Sequence, residues 1–67
     1  MIEIRLNGEA CQLEDGTTLA WLIASLGEPP AALATAVNGD FVPRGQRPAR
    51  CLQHGDAVTT FQPITGG

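Results

Sequence analysis

The stretch "TLAWLIASL", residues 18–26, decides how the rest of this 67-residue chain must fold. Four apolar side chains in it recur at the helical spacing i, i+3, i+4 and i+7: Leu19, Leu22, Ile23 and Leu26. This spacing predicts an amphipathic helix with one apolar face. Thr17 or Thr18 can cap its start, and Gly27, ahead of two prolines, is typical of its end. A short helix of this kind needs other elements to cover its apolar face.

On the N-terminal side of the helix, residues 1–13 predict a β-hairpin. In "MIEIRL" and in "EACQL", an apolar side chain or a cysteine recurs at every second position, which is the pattern of half-buried strands. Asn7-Gly8 lies between the two, and this dipeptide tolerates the positive φ angles of a type I′ turn. The hairpin can therefore cover part of the helix.

On the C-terminal side, residues 34–37 and 41–42 predict two further strands, joined by a second Asn-Gly turn. Pro43 confines the second of them to a sheet edge, because proline has no N–H to donate. Residues 45–56 are expected to be irregular, with Leu52 and Cys51 turned inward as anchors. A Gly-Asp turn then leads into a final strand, residues 57–62.

The element order is therefore β-β-α-β-β-β. A last strand long enough to be central, together with the hairpins, gives a mixed sheet of about five strands wrapped on one main helix. This is an α+β fold of the β-grasp type. We expect residues 1–64 to form the domain and residues 65–67 to be a flexible C-terminal tail that ends in Gly-Gly.

Composition and charge narrow the classes of function. The chain is 43% apolar with a net charge of −3, which argues against nucleic acid as a partner. No apolar stretch approaches the roughly 20 residues of a membrane span, and no leader segment opens the chain, so a cytoplasmic monomer is expected. Cys11 and Cys51 are too few for a disulfide framework or a zinc site, and we expect both to be reduced.

Polar residues that could carry chemistry are few and scattered. Glu14 and Asp15 precede the helix, where the helix dipole favours negative charge. His54 is expected to face solvent in a turn, and Trp21 to be half exposed beside the apolar face, with a partner contact as the alternative. The chain has three arginines in one loop: Arg44, Arg47 and Arg50. We expect this loop to be solvated, with an anion or partner contact as the alternative. No autonomous active site and no metal site are predicted.

The end of the sequence, "FQPITGG", indicates a site of chemical modification at the C-terminus. Glycines without Cβ atoms can lie extended in a channel too narrow for other residues, and they present the α-carboxylate of Gly67. That carboxylate is ionised at neutral pH and is a poor electrophile. Adenylation by ATP would supply a leaving group, and a sulfur nucleophile could then displace AMP. Phe61 lies either in the core or on the outer sheet face near the tail, and it is a candidate partner contact together with Arg44.

Three parts of the sequence resemble the ThiS family of sulfur carriers in thiamine biosynthesis: "AVNGDFVPR" (36–44), "HGDAV" (54–58) and the final "GG". The resemblance covers essentially the whole chain and implies a ubiquitin-like β-grasp fold with Gly66 and Gly67 as the functional residues. It implies adenylation of Gly67 by a ThiF-like adenylyltransferase that uses ATP. A sulfurtransferase or cysteine desulfurase would supply sulfur, and a ThiG-like thiazole synthase would accept it. The chain itself would bind no cofactor.

Two positions depart from the family pattern. Arg47 stands where members commonly carry a bulky apolar residue, and Thr59-Thr60 stand where aliphatic residues are usual. Three alternatives remain open from the sequence. The small subunit of molybdopterin synthase uses the same tail chemistry, and "QPITGG" partly resembles its ending. A passive interaction module with exposed aromatic residues, or a modifier that forms isopeptide bonds, is also consistent with a β-grasp domain.

Overall fold

A computed structural model describes residues 1–27 and 33–61 of the chain. In chain order its elements are β1 (Ile2–Leu6), β2 (Glu9–Leu13), α1 (Leu19–Ser25), β3 (Ala34–Val37), β4 (Asp40–Val42), a 3-10 helix (Arg44–Ala49) and β5 (Ala57–Phe61). The order β-β-α-β-β-β predicted from the sequence is confirmed. Within the described ranges, the 3-10 helix is the one element that the sequence did not predict.

The five strands form one mixed sheet in the order β2-β1-β5-β3-β4. β5 is central, as predicted, and runs parallel to β1 and antiparallel to β3. The other two pairs, β1 with β2 and β3 with β4, are antiparallel hairpins. β4 lies at the edge, where Pro43 costs the sheet no hydrogen bond. A five-stranded mixed sheet on one helix is the β-grasp arrangement.

Both Asn-Gly turns have the predicted backbone geometry. Asn7 and Gly8 have φ angles of 52° and 87°, and Asn38 and Gly39 have φ angles of 52° and 84°. Positive φ at both central residues defines a type I′ turn, whose twist matches that of the flanking strands. The two turns therefore fix the register of the two hairpins.

The helix begins as its sequence predicts, and three of the four residues predicted for its apolar face are buried. The hydroxyl oxygen of Thr18 accepts a hydrogen bond from the backbone N–H of Trp21 at 3.1 Å, so Thr18 is the N-cap. The helix residues Leu19, Leu22 and Ile23 are buried against the sheet. The rest of the core is apolar and comes from the strands and the loop before β5: Ile4, Leu13, Val37, Val42, Leu52 and Val58.

The prediction that Leu26 belongs to the buried face is wrong. The helix ends at Ser25, and the backbone N–H of Leu26 bonds the carbonyl oxygen of Ile23, three residues back, at 3.2 Å. This tighter last turn rotates Leu26 away from the apolar face, and the side chain is exposed. Gly27 has a φ of 79° and closes the helix as predicted. The prolines at 29 and 30 lie outside the described residues.

The loop predicted as irregular contains the 3-10 helix, which is a second correction. Bonds between residues three apart form it, from Gln46 N–H to the carbonyl of Pro43 and from Arg50 N–H to that of Arg47. Leu52 is buried as predicted, but Cys51 is exposed. Cys51 pairs with Thr18 in a short β-bridge, and neighbouring residues in extended backbone point to opposite sides. Only one of the neighbours Cys51 and Leu52 can therefore face the core, and that residue is Leu52.

Candidate functional site

The outer face of the sheet carries two exposed aromatic residues: Phe61 at the end of β5 and Phe41 on the edge strand β4. The side chain of Thr35 on β3 is fully buried, so the alternation of the strand places Ala34 and Ala36 on the face away from the helix. Phe61 pairs with Ala34, and Phe41 pairs with Ala36. Phe61 is 47% exposed and Phe41 is 64% exposed. The structure thus places Phe61 on the outer face and not in the core.

Two exposed arginines lie at the ends of the 3-10 helix that follows the edge strand β4. Arg44 is the first residue of that helix and is separated from β4 by Pro43. Arg50, which follows that helix, lines a shallow depression of about 250 Å³ together with Phe41 and Gln46. The structure therefore places one arginine, Arg50, beside one of the two exposed aromatic residues, Phe41. We call Phe41 and Phe61 the outer-face group.

Arg47 does not join the other two arginines in solvent, which corrects the prediction of a solvated loop for this residue. It is 3% exposed, and its Nε–H donates to the hydroxyl oxygen of Thr35 at 3.1 Å. A terminal guanidinium nitrogen donates to the carbonyl oxygen of Leu33. The Thr35 hydroxyl in turn donates to the carbonyl oxygen of Val42 at 3.0 Å.

Burial lowers the pKa of Arg47, and the positive charge of Arg44 lowers it further. A guanidinium nevertheless remains protonated in a protein, so a full charge is held inside the domain. Hydrogen bonds to Thr35 and Leu33 replace part of the hydration that the charge has lost. In the described ranges, no buried side-chain nitrogen or oxygen is left without a hydrogen-bond partner.

The remaining polar candidates have local structural contacts. The Nδ1 atom of the exposed His54 accepts a hydrogen bond from the backbone N–H of Glu3 at 3.1 Å. The carboxylate of Asp15 pairs with the N-terminal ammonium of Met1 at 3.2 Å. Both cysteines are free thiols. Across residues 1–27 and 33–61, no three His, Cys, Asp or Glu side chains are placed to hold a metal ion.

Trp21 is 59% exposed, as the sequence predicted for a residue beside the apolar face. It lies on the helix and lines an open cleft of about 510 Å³ with Met1 and Asp15. The helix covers the inner face of the sheet, whereas Phe61 lies on the outer face. Trp21 therefore does not belong to the outer-face group. No helix in the described part of the chain is both long and apolar enough to cross a bilayer.

Comparison with known proteins places these features in a family. The family model described as "ThiS family" matches residues 4–67. The chain belongs to the ThiS family. It is 36% identical over 66 residues to the sulfur carrier protein ThiS of Escherichia coli K12, and this match covers 98% of the chain and all of the relative.

A second relative has a different length and name. The chain is 39% identical over 66 residues to the thiazole synthase of Magnetococcus marinus, but it spans only 20% of that protein. Solved structures agree on the fold. The crystal structure of ThiS from Geobacter metallireducens matches with a TM-score of 0.87 at 20% identity, covering 98% of this chain and all of the other. SAMP1 from Haloferax volcanii matches with a TM-score of 0.62 at 18% identity, covering 98% of each chain.

The two departures from the ThiS pattern each have a contact in the structure. Arg47, where the resemblance leads us to expect a bulky apolar residue, donates hydrogen bonds to the hydroxyl oxygen of Thr35 and to the carbonyl oxygen of Leu33. Thr60 is half-buried, and its backbone and hydroxyl bond the side chain of Asn7. Arg47 and Thr60 are therefore accommodated by hydrogen bonds, and Thr59 is exposed on β5.

The predicted functional residues Gly66 and Gly67 lie outside the described residues, so their roles stay predictions. The structure does show where the chain leads into them. β5 is the central strand, and its last residue, Phe61, is followed in sequence by residues 62–67. The ThiS family match includes this segment.

Sequence reasoning missed a second role of the two turn asparagines. Each bonds β5 through its side chain as well as through its backbone. Asn38 accepts from the backbone N–H of Ala57 at 2.9 Å and donates to the carboxylate of Asp56 at 3.0 Å. Asn7 bonds Thr60, which is 53 residues away along the chain. Local periodicity has no information about contacts over that separation.

Proposed function

We propose that this chain is a sulfur carrier that supplies sulfur to thiazole synthase as a thiocarboxylate on Gly67. One observation carries the proposal: 36% identity over the whole length of a relative named sulfur carrier protein ThiS, with a family match that runs through residue 67. Under this proposal the chain is a co-substrate, and the catalytic groups belong to its partner enzymes.

The chemistry requires activation of a stable anion. The α-carboxylate of a C-terminal glycine has a reference pKa of about 3.3–3.7 and is ionised at neutral pH. One of its oxygens attacks the α-phosphorus of ATP and displaces pyrophosphate, which gives an acyl-adenylate. The terminal sulfur of a persulfide on the donor protein then attacks the acyl carbon, and AMP leaves with the oxygen. A thiol cleaves the S–S bond of the resulting acyl disulfide, which releases the thiocarboxylate and oxidises the thiol to a disulfide.

Under this proposal, partner enzymes recognise the folded domain and act on the α-carboxylate of Gly67. A segment of six residues, such as 62–67, can span at most about 20 Å. The reacting carbon of Gly67 must therefore lie within that distance of Phe61 in any complex. We propose that the outer-face group is the docking surface and that the exposed Arg44, after the edge strand β4, is a further partner contact, since exposed aromatic side chains and arginines commonly dominate binding energy. Gly66 and Gly67 would enter the active site, where side chains would not fit.

The partners follow from the three chemical steps. We infer a ThiF-like adenylyltransferase for activation, a sulfurtransferase or cysteine desulfurase for the sulfur, and a ThiG-like thiazole synthase as acceptor. The Magnetococcus relative supports the last of these, since a protein named thiazole synthase contains a segment 39% identical to this chain. Fusion of two proteins into one chain is consistent with their acting together. The carrier itself would be a cytoplasmic monomer with no bound cofactor.

A growth test separates this function from its alternatives. A strain that lacks the gene should require thiazole, and the intact chain should remove that requirement. A variant lacking Gly67 should not restore growth, because its terminal carboxylate, on Gly66, is one residue short of the reacting position, which is at most about 3.6 Å of chain. Rescue by the shortened variant would identify a passive interaction module. A requirement for molybdopterin-dependent activity instead of thiazole would identify the other pathway.

A further inference from the structure

Asn7 continues the pairing of β1 with β5 beyond the point where β1 ends. The backbone N–H of Asn7 donates to the carbonyl oxygen of Val58 at 2.9 Å, which is the last backbone bond described between these strands. The chain then turns away at Gly8. Two residues further along β5, the backbone N–H of Thr60 donates to the side-chain oxygen of Asn7 at 2.9 Å. The side-chain N–H of Asn7 donates to the Thr60 hydroxyl, also at 2.9 Å.

The side chain thus takes the place of a backbone carbonyl that the turn has removed. In a parallel ladder, the N–H of Thr60 would be paired by the strand beside it. Because β1 stops at Leu6, that N–H would otherwise face an open sheet edge. Thr60 pairs with Thr35 on the other side, so the two contacts hold the end of β5 from both neighbours.

We propose that Asn7 is a positioning residue for the Gly67 carboxylate, an inference that rests on the proposed function. Phe61 is one residue beyond Thr60, and residues 62–67 follow it. Holding Thr60 fixes the position and direction of the last described residues of β5. The reach of the last glycine into an active site depends on that direction, and misplacement by about 1 Å can cost as much as 100-fold in rate.

Asn38 provides a matched control at the opposite end of the same strand. It occupies the same place in a type I′ turn, with the same φ of 52°, and its side chain bonds Ala57 and Asp56 at the start of β5. Glycine adopts positive φ without strain, so Asn7→Gly and Asn38→Gly each remove a side-chain clamp and keep the turn. Only the first change releases the end of β5 that leads to Gly67.

The test is steady-state kinetics of adenylation, measured as pyrophosphate release by the cognate adenylyltransferase with ATP. For Asn7→Gly we expect kcat to fall about five- to tenfold with little change in KM, because the outer-face group still docks. Asn38→Gly should keep the kcat of the unchanged protein. Asn7→Asp should restore most of the rate, since its carboxylate can accept both the N–H and the hydroxyl hydrogen of Thr60.

Amide hydrogen exchange of the free carrier gives a second readout. Exchange at Thr60 should be faster in Asn7→Gly and unchanged in Asn38→Gly. Equal kinetic effects of the two glycine variants, an effect on KM alone, or no rescue by Asn7→Asp would overturn the positioning role. Failure of the unchanged protein to be adenylated would overturn the proposed function itself, and the inference with it.

Discussion

Arg47 carries a charge into the interior of the domain, at a position where the resemblance to the ThiS family leads us to expect an apolar side chain. The structure accommodates it with hydrogen bonds to the Thr35 hydroxyl and to the carbonyl of Leu33, and the whole side chain is buried. A buried polar group is costly when its partner is removed and much less so when it is replaced by an apolar group of similar size. Replacing Arg47 by an apolar side chain of similar size should therefore cost less stability than truncating it.

Shortening Arg47 should destabilise the domain through both packing and hydrogen bonding. We expect Arg47→Ala to lower the free energy of unfolding by about 2–4 kcal/mol. Arg47→Met keeps most of the volume and should cost about 1 kcal/mol. Urea unfolding measures both. The control is Arg44→Ala at an exposed neighbour, expected within about 0.5 kcal/mol of the unchanged protein. Equal effects of the two alanine variants would contradict the buried role.

Phe61 should matter for binding and not for stability. Truncation of a central aromatic residue at an interface commonly costs about 2 kcal/mol or more. We therefore expect Phe61→Ala to weaken the Kd for the adenylyltransferase at least about 20-fold, as measured by titration calorimetry. Trp21→Ala removes a similarly exposed aromatic residue from the helix and should leave the Kd unchanged. If the Trp21 variant loses as much affinity, the docking surface is not the outer face.

The helix α1 has seven residues, so its first turn contributes much of its stability. Thr18 caps that turn through its hydroxyl, whereas the hydroxyl of Thr17 donates to the carbonyl of Glu14 at 2.7 Å. We expect Thr18→Ala to cost about 1 kcal/mol and Thr18→Ser to cost much less, because serine keeps the capping oxygen. Thermal unfolding compares the two variants. Equal melting temperatures for alanine and serine would show that the cap contributes nothing.

Elements with a local signal could be predicted from the sequence. The two hairpins, the helix start and the central last strand follow from alternation, helical spacing and the two Asn-Gly turns. Leu26 was misplaced because its spacing continues the apolar face after the hydrogen-bond pattern has changed. The 3-10 helix was missed because it has no apolar periodicity.

The candidate site was less accessible to sequence reasoning than the fold. Phe61 alternates away from Val58, yet whether the outer face of β5 is covered depends on the whole sheet. The burial of Arg47 and the clamp from Asn7 to Thr60 both join segments that are distant in sequence. Such contacts arise only after the chain has folded, so no local pattern predicts them.

In the molecule as a whole, the proposed reacting residue, Gly67, lies in a part of the sequence that contributes nothing to the described core. The described core is built by residues between Ile4 and Val58, all before the segment that carries Gly67. Deletion of Gly67 should therefore leave the free energy of unfolding within about 0.5 kcal/mol of the full-length value. Urea unfolding of the two proteins side by side checks this. A clear loss of stability would show that the last residue has a structural role.

The most direct measurement is the intact mass of the carrier after incubation with its adenylyltransferase, ATP and the sulfur donor. The full-length chain should gain the mass difference between sulfur and oxygen, and tandem mass spectrometry should place that gain on Gly67. The chain lacking Gly67 should gain nothing. If the full-length chain keeps its original mass with authentic partners, or if the gain lies on Cys11 or Cys51, the account is contradicted.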